Sequence, residues 1–184
     1  MKKVSSFHIS VTVTLFCFQL LATEPVPSEK AVPNQRISVH EYQNFIGNWY
    51  DKTNPVLCAL IQSPKQYSSV FHAAAVMRGK KPYAPANELF DKEQIVLIAK
   101  VMTAPADMDK SFADVTVSET GDTLMVSYRL NDAKSGATHS VKNFLSLRIH
   151  KKNYKRVLFQ ESGTQVAELQ PSDGVWCNIK LEVQ

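Results

Sequence analysis

The stretch QIVLIAKVM, residues 94–102, limits what this chain can fold into more than any other. It is the strongest apolar run beyond the N-terminal region and has the length of a strand, so it reads as a central strand. The sequence around it supplies partners. VLCALI (56–61) reads as a buried strand. FADVTVS and TLMVSYRL flank ETGD, and Leu124, Val126, Tyr128 and Leu130 alternate with Met125, Ser127 and Arg129, the pattern of a hairpin. NFLSLRIHK and KRVLFQE alternate likewise around KNYK and predict a second hairpin, and WCNIKLEV (176–183) closes the sheet. YSSVFHAAAVM (67–77) suits strand or helix, and RGKKPYAPANE is turn and loop.

Ahead of these strands, Ser38 and Glu41 stand three apart as a capping box, in which each side chain satisfies a free backbone amide at a helix start. Tyr42, Phe45, Ile46 and Trp49 follow at i, i+3, i+4 and i+7, one helical face. Gly47 weakens that helix by about 1 kcal/mol, and DKTNP (51–55) stops it. The expected fold is therefore α+β: one early capped helix packed on a mostly antiparallel sheet of about six or seven strands. The alternative is a small closed β-barrel.

The N-terminus speaks to compartment. Lys2 and Lys3 precede an apolar, β-branched run that ends at Ala22, the layout of a secretory signal over residues 1–22. Cys17 follows TLF inside that run, without the small residue that precedes a lipidated cysteine. TEPVPSEKAVPNQ, with three prolines and no aromatic residue, reads as part of a linker over 23–36, leaving 37–184 as a single globular domain. Loss of the two leader lysines lowers the formal charge from +4 to +2. So nearly neutral a domain is a poor partner for nucleic acid, and HKKNYKR (150–156) reads as a solvated turn. Export makes the protein periplasmic or secreted, with membrane contact only in transit. Cys58 and Cys177 then form a candidate disulfide, and closing so long a loop adds about 4 kcal/mol in the chain-entropy model.

Catalytic and metal signals are sparse. His40, His72, His139 and His150 fall in no metal-binding spacing. There is no GxSxG or SxxK, and Cys58 sits in an apolar strand where a thiol is inert. Asp107, Asp109 and Asp114 suggest a calcium loop, but the twelfth position from Asp107 is Ser118 where an EF-hand needs glutamate. No enzyme, cofactor or metal is expected. Binding remains, and loops that carry apolar residues without a core reason are the place to look. Tyr83 and Pro85 in KKPYAPANELF (80–90) come first, and Met108 in TAPADMDKSF (103–112) second.

Two families share parts of this pattern. GNWY (47–50) resembles the Gly-x-Trp opening of the lipocalins. That likeness implies a barrel holding a small apolar ligand, with Trp49 at its closed end under a basic residue from a late strand. Over about 37–160 the chain resembles the PrcB-type family of exported domains, in SVHEYQNFIGNWY, LFDKEQIVLIAKVM, ADVTVSETGDTLMVSYRL and NFLSLRIHKKNYKRVLFQ. The Gly-Gly-Tyr turn of that family is replaced here by TAPADMDKSF, and its acid–Phe pair is inverted as Phe90-Asp91. The PrcB-type resemblance implies a non-catalytic accessory role, with another envelope or secreted protein as partner.

Overall fold

A strand buried on one face alternates apolar with polar residues, whereas a strand buried on both does not. That difference organises the molecule. The computed structural model describes residues 28–47, 49, 55–75, 79–131, 136–173 and 177. The first half holds β1 (Lys30–Ala31), β2 (Asn34–Ile37), β3 (Asn44–Ile46), β4 (Val56–Ile61), α1 (Pro64–Val70), β5 (Phe71–Ala73) and α2 (Leu89–Lys92). The second half holds β6 (Glu93–Thr103), β7 (Phe112–Thr120), β8 (Thr123–Leu130), β9 (Ser140–His150), β10 (Arg156–Glu161) and β11 (Thr164–Leu169).

The strands form three sheets, ordered β1-β7-β8-β10-β11, β2-β9-β6-β4 and β3-β5. The first two pack face to face. Cys58, Leu60, Val96, Ile98, Leu145 and Leu147 of the four-stranded sheet meet Val117, Leu124, Val126, Val157, Phe159 and Leu169 of the five-stranded one. On the opposite face of the four-stranded sheet, Leu57, Ala59, Ile61, Ile95, Leu97 and Ala99 lie under a cap. The cap contributes Tyr67 and Val70 of α1, Phe71 of β5, Phe90 of α2, Ile46 of β3, and Trp49. The four-stranded sheet is thus the middle layer. This is why VLCALI has every residue buried, and why 94–99 is buried without interruption. In β8, by contrast, Leu124, Val126 and Tyr128 are buried and the residues between them are not.

The α+β class holds, with two short α-helices and open sheets among the described residues, so the closed-barrel alternative does not match them. The described strands number eleven, not six or seven. The early helix is also corrected: residues 39–46 are turn and strand. Ser38 Oγ donates to Asp109 Oδ2 at 2.6 Å, and Asp109 Oδ1 accepts from Val39 N at 3.0 Å, so a distant carboxylate takes the place of the capping box. Asn44–Ile46 then pairs with Phe71–Ala73. The capped helix is α1 instead: Ser63 Oγ accepts from Gln66 N at 3.2 Å, with Pro64 in the first turn.

The first hairpin forms as expected, Val117 opposite Val126, with its turn at Gly121 where φ is 59°. The second does not form. β9 stays in the middle sheet, while β10 crosses to the other one and runs parallel to β8. The segment between them is pinned and does not act as a free turn. Gln94 Nε2 donates to the carbonyls of His150 and Lys152, and Tyr154 is buried, with its hydroxyl on Glu119 Oε2 at 2.9 Å. Lys30–Ala31 and all but the last residue of Asn34–Ile37 fall within the expected linker 23–36, and both strands are paired into the sheets. The expected leader (1–22) and most of the expected last strand (176–183) lie outside the described residues.

Candidate functional site

The cap is where the molecule presents unusual side chains to solvent. In β3 the residues alternate: Asn44 and Ile46 turn inward and Phe45 turns out, 54% exposed. Asn44 Nδ2 donates to Tyr67 Oη at 2.5 Å and to the Tyr83 carbonyl at 3.2 Å. Burial holds the Tyr67 phenol well above the usual tyrosine range, so it stays a neutral hydroxyl. Phe45 lies opposite His72 on β5, and the two rings stack with centroids 6.0 Å apart. The His72 ring rests on Gly47, where a Cβ would come 1.9 Å from its Cδ2; only glycine lets the ring lie there.

The loop carrying Tyr83 is fastened to this pair. Gln43 N donates to Pro82 O at 3.2 Å, and Lys81 Nζ donates to His40 O at 3.0 Å. Tyr83 itself is 44% exposed, as its place between prolines suggested. Pro85, the other residue singled out in that loop, is buried. Met108 lies elsewhere on the cap side, half-buried at the edge of an open cleft of about 830 Å³. Val39, Phe45, Ile46, Trp49 and Phe144 line the same cleft. Asn143, fully buried, holds the Met108 carbonyl at 3.0 Å.

Two contributors were hidden in the sequence. The helical spacing puts Phe45 in the core, whereas β3 turns it to solvent. Lys142 lies in an alternating strand, where it looks like any solvent-facing lysine. In the fold its Nζ sits 5.2 Å from the centroid of the Trp49 ring and donates to Trp49 O at 3.0 Å, which puts a cation against the aromatic floor of the cleft.

The acids of the suspected calcium loop do not converge. Asp107 closes its own turn onto the amides of Asp109 and Lys110, Asp109 holds Ser38 and Val39, and Asp114 pairs with Arg129 at 2.7 Å. Among the described residues no group of three or more His, Cys, Asp or Glu could hold a metal. Other polar clusters tie the β9–β10 connection to β7 and the two large sheets to each other. Lys152 and Tyr154 both bind Glu119, and Lys100 and Tyr128 both bind Glu161. The expected disulfide is present: Cys58 and Cys177 are bonded, with Cα atoms 5.2 Å apart.

Comparison with family models, with curated proteins and with solved structures finds no match for this chain.

Proposed function

We propose that the protein is an exported, non-catalytic binding domain that meets a protein partner through the outer face of its cap. The observation that carries this is the placement of Phe45 and Tyr83. They are the two large hydrophobic side chains exposed among the described residues, and both belong to the cap. Exposed aromatic residues cost solubility and are characteristic of contact surfaces. The Cys58–Cys177 bond agrees with an oxidising compartment, periplasmic or extracellular. The PrcB-type resemblance supplies the accessory role.

One observation favours a second reading, a small apolar ligand. The cleft is lined mainly by apolar residues, and Trp49 lies under the ammonium of Lys142 from a late strand, as the lipocalin likeness implies. With the sheets open, such a ligand would sit between the cap and the Lys142–Phe144 part of β9. Native mass spectrometry of the protein, purified gently from cells that express it, separates the readings. A stoichiometric protein companion supports the first. A small molecule released on denaturation supports the second and sinks the first.

A further inference from the structure

Edge strands offer unpaired backbone groups to any passing strand, and the hazard grows with their apolar content. Among the described residues the two large sheets have four edges, and they are unequal. β1 is exposed throughout, β2 and β11 each begin with exposed residues, and β4 is buried at all six positions. The most apolar edge is the one that carries the disulfide. The backbone of Cys58 faces away from β6, since its N–H donates to Cys177 Sγ at 2.9 Å and its C=O accepts from Cys177 N at 3.0 Å. Val56 and Leu60 share that orientation by the alternation of an antiparallel ladder.

The two sulfurs differ in what exchange would demand of them. Cys58 is fully buried in the inter-sheet core among Val56, Leu60 and Ile98, whereas Cys177 is partly exposed. A thiolate reaching Cys177 Sγ would form a mixed disulfide there and expel the Cys58 thiolate into apolar surroundings. Burial disfavours that anion and makes it a poor leaving group. Expulsion of Cys177, whose sulfur already receives the Cys58 amide, would be easier, but it requires attack on the sulfur that solvent cannot reach. Access and leaving-group quality therefore oppose each other.

We infer that the Cys58–Cys177 bond is an exchange-protected strap. It is reducible only after β4 opens, and it bars the apolar β4 edge to strand addition by a second copy of the chain. Reduction by dithiothreitol would consume one dithiol. Its first thiolate breaks the S–S bond, its second displaces Cys177 from the mixed disulfide, and the reagent leaves as a cyclic disulfide while both cysteines gain protons.

The test is the rate of that reduction in the wild-type protein, followed by mass after acid quench and thiol alkylation. In native buffer it should be slower than in strong denaturant by about 100-fold or more, and should level off as dithiothreitol is raised because opening becomes limiting. Reduction within about tenfold of the unfolded rate, first order in dithiol throughout, overturns the protection. A Cys58→Ala/Cys177→Ala double variant tests the edge. Concentration-dependent self-association in sedimentation velocity is expected. A variant that remains folded and monomeric at all concentrations overturns the barring of β4. If the variant does not fold, the same sedimentation run on the reduced wild-type chain under native conditions decides the point.

Discussion

The two faces of the middle sheet are made by the same strands and differ in what they meet. One face meets another sheet, and its side chains interdigitate with those of β7, β8, β10 and β11, all deeply buried. The other meets a cap assembled from a seven-residue helix, a four-residue helix and two three-residue strands. The cap has its own buried centre in Tyr67, Val70, Phe71 and Phe90, yet it leaves Phe45 and Tyr83 in solvent. Short elements contribute little stability of their own and depend on the sheet beneath. Under the proposed function, the inter-sheet core holds the fold and the cap makes contact.

The sharpest way to break that contrast is to cut each side. Phe159→Ala empties a fully buried ring site between the sheets and should lower unfolding free energy by about 3–5 kcal/mol, read by urea denaturation. Val70→Ala, equally buried but in the cap, should cost about 2 kcal/mol. Equal losses would remove the distinction. Gly47→Ala tests the close approach of His72. Its added methyl must displace that ring, costing about 1–3 kcal/mol and altering the Phe45–His72 stack seen in aromatic NMR shifts.

Smaller still is the polar stitch at Glu119. Hydrogen bonds from Lys152 and then Tyr154 hold its carboxyl below the usual glutamate value of 4.5. A folded-state value below the unfolded one means the stabilisation is complete above the ordinary carboxylate range. It is lost as pH falls through the folded value. Glu119→Gln should therefore cost up to about 1 kcal/mol at pH 7, after solvent screening, with the gap from wild type closing in acid. A gap that persists unchanged at pH 3 would assign the loss to something other than charge.

The sequence spoke clearly wherever burial alone sets the pattern. β4 and β6 were legible as uninterrupted apolar runs, and the β7–β8 hairpin as alternation around Gly121. What failed was decided by distant partners. The spacing of Tyr42, Phe45, Ile46 and Trp49 fits a helix, but Asp109 captures Ser38 from 71 residues away and β5 supplies the ladder for Asn44–Ile46. Ser63-Pro64-Lys65-Gln66 carries the true helix-start signal, just ahead of the stretch 67–77 that suits helix or strand. The parallel pairing of β10 with β8 leaves no local mark at all. At the site, Tyr83 was legible from its flanking prolines. Pro85 looked equivalent in sequence, yet the loop folds it inward. Phe45 was missed for the same reason as the helix, because a helical face would have buried it.

The most direct measurement pairs stability with binding in one variant. Phe45→Ser combined with Tyr83→Ala changes exposed positions, so its unfolding free energy should stay within about 1 kcal/mol of wild type. Gently purified and examined by native mass spectrometry, it should have lost the protein companion that wild type retains. A folded variant that keeps its companion would contradict the assignment of contact to the cap.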